Sequence, residues 1–207
     1  MAYSDFTLAG VVQQFSLTLD SNSSLYDNVP EAVLDPVFLK RLEEDSKLAL
    51  NVSTEKARSE FLIAPILAEV RRMTAFRIGI FSGVEFSVEP NQGLTGVCDY
   101  IITRSPEQLL LSAPVVMLVE AKNEDMRRGY AQCIAEMLAA QAFNTAAGQE
   151  IDKVYGAVTI GDKWRFLELK NKTVQVDSAD YYLEDLAKII GILLYSIQLA
   201  DTKKDKL

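Results

Sequence analysis

The chain has 207 residues, enough for one domain with a sizeable core, and its 49% hydrophobic content is ordinary for a globular protein. It contains no histidine, which excludes Ser-His and Cys-His hydrolases and the helical zinc proteases. The net charge of −8 argues against strong nonspecific binding to nucleic acid. A local basic face remains compatible with that charge, because residues 1–50 hold eight acidic and only three basic residues.

Three absences narrow the expected chemistry and location. There is no run of about 18 apolar residues, so no membrane span is expected. The first residues lack the basic start of a signal peptide, so the two cysteines, Cys98 and Cys133, are expected to be reduced thiols in a cytoplasmic protein. Neither a Walker-type phosphate loop nor a dinucleotide fingerprint is present, so any chemistry must rest on carboxylates, lysines and a hard metal ion.

The composition divides the chain into two parts. Residues 1–50 are interpreted as an appendage packed on a main domain that covers residues 51–207. Within the appendage, residues 6–19 fit a short helix or strand, and residues 30–47 fit a helix. The first helix of the main domain is expected to begin at residue 53 or 54 and to kink or restart at Pro65.

The main domain alternates strands and helices after that first helix. Strands are predicted at residues 84–88, 96–103, 114–122, 153–160 and 163–169. A helix is predicted at residues 125–143, and a last helix at residues 178–199 is apolar on most sides, which indicates burial or a homodimer contact. The order predicts an α/β fold with a central mixed sheet flanked by helices.

Three charged residues stand out at the ends of apolar strands. Glu120 and Lys122 are two positions apart on one strand, so their side chains are expected on the same face. Both follow an apolar run, where a lone charge is costly unless it is paired or bound to metal. Asp99, also flanked by apolar residues, offers a partner if the two strands are neighbours. An ordinary surface salt bridge is the alternative interpretation of Glu120 and Lys122.

Two carboxylates on adjacent strands supply the hard oxygen ligands that Mg²⁺ prefers, and Mn²⁺ is expected to substitute for it. A bound ion acidifies a water and stabilises charge on a phosphate. Lys122 is then expected to hold that water or to neutralise the transition state. The sequence therefore predicts a cation site at Asp99 and Glu120 that works without histidine.

The order Asp99, a variable spacer and Glu120-Ala121-Lys122 after a hydrophobic strand resembles the PD-(D/E)XK nuclease superfamily, the restriction-endonuclease-like proteins. That superfamily has a core of a helix, three strands, a helix and a further strand. The resemblance covers residues 53–170 and implies that residues 51–207 are a nuclease-like domain. The neighbouring residues also resemble a cyanobacterial group placed in the same superfamily. One departure is that Val97 and Cys98, and not a proline, precede the aspartate.

The resemblance implies two further site residues. Glu60, on the helix before the strands, matches a glutamate that many members use as an added metal or water ligand. Gln132, one turn into the next helix, matches a glutamine seen in several branches. Each has a plainer interpretation, because a glutamate early in a helix is commonplace and the helix face that joins Arg128, Gln132 and Glu136 fits a solvated surface.

Basic residues near these positions are candidates for phosphate contacts. Arg127 and Arg128 follow the site directly, although an ordinary helix surface explains them slightly better. Lys163 and Arg165 flank Trp164, and such a basic and aromatic mixture is able to meet nucleic acid, although a lone tryptophan is usually part of the core.

The function that these residues predict is that of a Mg²⁺-dependent endonuclease, with DNA as the expected substrate. One alternative is a nuclease-like fold with an idle site that serves as a binding or regulatory module, which the acidic first part and the apolar last helix would suit. A phosphate-transfer enzyme other than a nuclease is a third interpretation, and no nucleotide-recognition motif supports it.

Overall fold

The computed structural model describes residues 1–199. The helices are α1 (Leu8–Phe15), α2 (Pro36–Val52), α3 (Glu55–Arg58), α4 (Ala64–Met73), α5 (Met126–Ala146) and α6 (Leu186–Leu199). The strands are β1 (Thr18–Asp20), β2 (Gly79–Glu85), β3 (Val97–Thr103), β4 (Val115–Ala121), β5 (Val154–Thr159), β6 (Lys163–Lys170), β7 (Thr173–Val176) and β8 (Tyr181–Tyr182). The predicted α/β class is confirmed at this level.

The strands form one open, mixed sheet in the order β1-β7-β6-β5-β4-β3-β2, and β8 pairs with β6 beside that path. β2, β3 and β4 are an antiparallel meander, α5 crosses over to β5, and β5 lies parallel to β4. β6 and β7 continue antiparallel, and β1 closes the far edge parallel to β7. The crossover through α5 therefore lies beside the strands that carry the predicted site.

Each face of the sheet has its own hydrophobic core. On one face, side chains of α4 and α6 such as Ile66 and Leu193 pack with Val119 and Trp164. On the other face, α5 packs against β4 and β5. Side chains of the first segment (residues 1–50), such as Tyr3 and Val11, belong to the same core. Residues 1–50 thus contribute both an edge strand and buried side chains to the one sheet.

The last helix is apolar because it is buried within the chain. Ile189, Ile190 and Leu193 have no exposed surface, whereas Tyr195 is among the large hydrophobic residues that remain exposed. The helix begins at Leu186, later than predicted, because β8 and a 3₁₀ turn occupy the residues before it. None of the described helices combines the length and the apolar composition that a bilayer crossing requires.

Other boundaries also differ from the prediction. β2 begins at Gly79 and not at residue 84, because its register with β3 runs back to Thr103. The helix predicted at residues 30–47 is Pro36–Val52, and residues 6–19 hold α1 and the start of β1. The sequence predicts neither β7 nor its pairing with β1. Pro65 does restart a helix as predicted: a π turn at Ser59–Ile63 separates α3 from α4, where proline cannot donate a backbone hydrogen bond.

Two glycines let α5 lie close to the sheet. A Cβ on Gly129 would be 2.5 Å from Val158 Cγ1 and 3.2 Å from Lys122 Cγ. A Cβ on Gly156, in β5, would be 2.6 Å from Met137 Sδ and 2.8 Å from Cys133 Sγ. Distances this short require glycine, so the approach of α5 to the end of β4 depends on these two positions.

Replacing Gly129 by alanine should therefore destabilise the protein. Overpacking typically costs about 1–3 kcal/mol, and the better helix propensity of alanine offsets about 1 kcal/mol of it. We expect a net decrease of up to about 2 kcal/mol in the free energy of unfolding, measured in urea. The effect of Gly129→Ala should shrink when Val158→Ala is already present, and an equal effect in both backgrounds would contradict the proposed steric conflict.

Candidate functional site

The sheet brings Asp99 and Glu120 to the same face. Tyr100 pairs with Val119 and Ile101 with Leu118 across the antiparallel β3–β4 ladder, so the next residues along, Asp99 and Glu120, are opposite each other. The Ala121 backbone N–H donates a hydrogen bond to Asp99 Oδ2 at 2.8 Å. The expected adjacency of these two strands is confirmed.

Lys122 joins this pair from the end of β4. Its ammonium Nζ is in contact with Glu120 Oε1 and donates a hydrogen bond to Gln132 Oε1 at 3.2 Å. Its backbone N–H donates to Thr159 O at 2.8 Å, which continues the parallel ladder beyond the strand and holds the lysine in place. The structure therefore gathers Asp99, Glu120, Lys122 and Gln132 in one cluster.

A further member of the cluster, Glu136, is not among the residues that the sequence predicted. It is fully buried, and its Oε1 accepts a hydrogen bond from Gln132 Nε2 at 3.1 Å. The alternative interpretation of a solvated helix face that includes Glu136 is therefore wrong. The sheet covers α5 on one side, and the first segment covers it on the other. A lone glutamate inside the apolar run of residues 133–140 was the signal that could have revealed it.

Glu120 is the most constrained group in the cluster. Its side chain has no exposed surface, its Oε1 is paired with the Lys122 ammonium, and its Oε2 has no hydrogen-bond partner among the described residues. Glu136 Oε2 is likewise buried without a partner in the part of the chain that the structure describes. Buried polar atoms are rarely left in this state, so they indicate that a ligand or proton belongs between them.

The pKa values of the cluster residues are shifted by burial and by the charges of their neighbours. Burial, followed by the charges of Glu136 and Asp99, raises the pKa of Glu120 to about 10. Burial also raises the pKa of Glu136 to about 8 and raises the pKa of Asp99, against the hydrogen bond from Ala121. Burial alone would lower the pKa of Lys122, but the charges of Glu120 and Asp99 outweigh it and raise that pKa. One ammonium therefore faces three carboxyls.

Glu60 lies apart from these contacts. Its carboxylate is 2.9 Å from Lys56 Nζ, and its side chain is 52% exposed. The acidic residue of this helical region whose charge acts on Lys122 is Glu55, at the start of α3, and it contributes to raising the pKa of Lys122. The structure therefore groups four of the five predicted site residues and leaves Glu60 in a surface pair.

The ligands available to a metal are limited. Within residues 1–199, no group of three or more histidine, cysteine, aspartate or glutamate side chains has the arrangement of a metal site. Glu136 therefore does not complete a three-carboxylate centre. Cys98 and Cys133 are buried free thiols whose pKa is raised by burial, so they stay protonated. An ion at Asp99 and Glu120 would need backbone carbonyls or water to complete its shell.

The basic and aromatic candidates of β6 belong to the core and to ion pairs. Trp164 is buried and donates its indole N–H to Gly161 O at 3.0 Å, so it is a core residue. Lys163 and Arg165 both pair with Asp180 at 2.7 Å. This hairpin therefore does not present a free tryptophan to a nucleic acid.

The two arginines after the site are at the surface. Arg127 and Arg128 lie exposed at the start of α5, and Arg128 Nε is 3.9 Å from Asp125 Oδ2 in an exposed pair. Both arginines line a cavity together with Arg165.

Comparison with known proteins adds no relative to this description. No protein-family model, curated protein or solved structure matches the chain.

The raised pKa of Glu120 predicts a characteristic pH dependence in metal-free buffer. The folded protein keeps a proton on Glu120 up to a pH of about 10, whereas the unfolded chain releases it near the usual pKa of about 4.3. Unfolding therefore releases a proton in this window, and the free energy of unfolding should fall as the pH rises. Glu120→Gln removes this contribution and leaves those of Glu136 and Asp99, whose pKa values are also raised, so at about pH 8 it should be more stable than wild type by about 1–3 kcal/mol.

Urea titrations between about pH 5 and pH 8 measure this difference. Glu43→Gln is the matched control, because Glu43 is an exposed glutamate paired with Lys47 at 2.9 Å, and its replacement should leave the pH profile nearly unchanged. Parallel profiles for wild type and Glu120→Gln would show that Glu120 is not protonated by burial.

Proposed function

We propose that this chain is a Mg²⁺-dependent nuclease of the PD-(D/E)XK type, acting on nucleic acid with DNA as the expected substrate. The observation that carries the proposal is the buried Glu120 carboxylate beside Asp99: its Oε1 is paired with the Lys122 ammonium, and its Oε2 has no hydrogen-bond partner among the described residues. Carboxylates on two adjacent strands with a lysine two positions on are the arrangement that this chemistry requires.

The order of elements also supports the proposal. A helical segment precedes an antiparallel meander of three strands, and a helix then leads to a strand parallel to the third. This is the order that the sequence resemblance implies for the superfamily core, with the carboxylates on the second and third strands. Because fold alone does not give function, the topology adds weight only together with the site.

The charge of the cluster supports a divalent cation. Three carboxyls and one ammonium leave the cluster short of positive charge, and Glu120 Oε2 has no hydrogen-bond partner among the described residues. Asp99 and Glu120 would hold the ion, which supplies an acidified water and positive charge near the phosphate when it is bound. Hard oxygen donors favour Mg²⁺ or Mn²⁺ over softer metals.

The side chains of the chain itself would orient the reaction. Lys122 Nζ donates to Gln132 Oε1, and Gln132 Nε2 donates to Glu136 Oε1, so this relay holds the ammonium in the cluster. From that position Lys122 donates a hydrogen bond to the attacking water or to the phosphate as negative charge develops. The hydrogen bond from the Ala121 N–H to Asp99 Oδ2 fixes the orientation of the second carboxylate.

Homodimerisation through α6 is not part of the proposal, because the apolar side chains of that helix are already packed inside the chain. A cytoplasmic location remains an expectation.

Lys122→Ala should abolish cleavage. We expect metal-dependent nicking of plasmid DNA by the wild-type protein and a rate at least about 100-fold lower in the variant, because the ammonium that touches Glu120 would be missing from the transition state. Conversion of supercoiled plasmid on agarose gels measures the rate. Lys47→Ala, at an exposed lysine paired with Glu43, is the matched control and should retain activity.

The same plasmid assay compares how much each acidic residue of the predicted site contributes to cleavage. Glu120→Gln should reduce cleavage as strongly as Lys122→Ala, whereas Glu60→Gln should reduce it less, because Glu60 is occupied by its surface pair with Lys56. Intact plasmid together with intact circular single-stranded DNA, at high enzyme concentration with both Mg²⁺ and Mn²⁺, would count decisively against a DNA nuclease.

The second candidate function is a nuclease-like module with an idle site that serves binding or regulation. The specific observation in its favour is that the described residues contain no three-ligand metal group. Calorimetric titration separates the two candidates: the nuclease should bind about one Mg²⁺ per chain, and Asp99→Asn should weaken that binding at least about tenfold. Absence of Mg²⁺ and Mn²⁺ binding to the wild-type protein would favour the idle module.

A further inference from the structure

A cavity of about 710 Å³ lies beside the cluster, between the first turns of α5, strand β6 and the first segment of the chain. Three arginines line it, Arg127, Arg128 and Arg165, against one acidic residue, Asp5. The Asp5 carboxylate is already engaged by the Ala2 N–H at 2.7 Å. Arg165 is paired with Asp180, so the positive charge that the cavity offers to phosphate comes from the exposed Arg127 and Arg128, in a chain of net charge −8.

The remaining wall of the cavity is apolar and aromatic. Phe6 and Leu19 line it on one side and Tyr130 on another. The volume lies in the range of pockets that take small organic ligands. Arginines that meet phosphate next to an aromatic and apolar wall are the combination by which proteins hold unpaired bases of single strands.

The cavity and the cluster lie on the same face of the sheet, and the start of α5 covers Val158 between them. Val158 pairs with Glu120 on one side and with Arg165 on the other, so these three residues form one row on the same face. Two strand spacings separate Glu120 from Arg165, about 10 Å. Along α5, Ala131 lines the cavity and the next residue, Gln132, contacts Lys122. A strand whose phosphate lies at Lys122 would therefore reach the cavity within a few nucleotides.

We propose that this cavity binds an unpaired nucleotide, so that the protein recognises single-stranded nucleic acid, with a base against Tyr130 and Phe6 and adjoining phosphates on Arg127 and Arg128. The inference rests on the proposed nuclease function, since it names the substrate class of that site. A base inside a duplex is stacked and paired, and entering the cavity would cost unstacking, so duplex should bind more weakly than a single strand.

Fluorescence anisotropy of an end-labelled oligonucleotide, as a single strand and as its duplex, tests the proposal. The buffer contains EDTA, so cleavage cannot interfere with binding. The wild-type protein should bind the single strand more tightly than the duplex. Arg127→Ala/Arg128→Ala should weaken single-strand binding about tenfold or more and reduce the slope of log affinity against log salt by about 1.4, at about 0.7 for each phosphate that is no longer neutralised.

Matched variants separate charge from stacking. Lys40→Ala/Arg41→Ala removes two exposed cations from α2 and should change neither affinity nor salt slope by a comparable amount. Tyr130→Ala should weaken binding about tenfold without changing the salt slope, because it removes a stacking surface and no charge. Far-UV circular dichroism and thermal melting establish that each variant is folded.

The binding measurements and the nuclease assays test the two proposals separately, so that either proposal can fail alone. Equal affinity for single strand and duplex, no measurable binding by the wild-type protein, or an arginine double variant that behaves like the Lys40→Ala/Arg41→Ala control would each overturn the proposal. Single-strand binding that depends on Arg127 and Arg128 in a protein that cleaves nothing would retain the cavity and reject the nuclease. Cleavage by the arginine double variant at the wild-type rate and affinity would retain the nuclease and reject the cavity.

Discussion

The burial of the Glu120 carboxylate at the end of β4 is the constraint on which the site depends. Removing such a group from water costs several kcal/mol unless a partner compensates for it. Lys122 provides partial compensation, but Asp99 and Glu136 add negative charge to the same space. The negative charge of the cluster is therefore neutralised only when protons or a cation are added. This excess of negative charge distinguishes the cluster from an ordinary surface ion pair.

The packing of α5 determines which groups share that constraint. Gly129 and Gly156 allow the helix to approach β4 and β5 more closely than any larger residue would permit. At that distance Gln132 accepts a hydrogen bond from the Lys122 ammonium. Glu136 lies buried between α5 and the sheet, where it accepts a hydrogen bond from Gln132. The same helix builds the hydrophobic core on this face, so the stability of the fold and the geometry of the cluster depend on one element.

The first segment has a comparable double role. Its residues cover α5 and complete the hydrophobic core on that face, and its strand β1 extends the sheet by pairing with β7. By crossing α5 it also forms one wall of the cavity that the three arginines line. The cavity therefore exists because residues distant in sequence meet over the start of α5. The charge that it offers to phosphate comes from α5, whereas part of its apolar lining comes from the first segment.

Local periodicity and composition were enough to predict the α/β class, the apolar strand that carries Glu120 and the long helix after it. The pairing of Thr18 with Thr173, the burial of Glu136 and the surface pair of Glu60 with Lys56 became visible in the folded chain alone. Strand pairing joins segments far apart in the chain, and the burial of a helix face depends on what packs against it, so neither follows from local spacing.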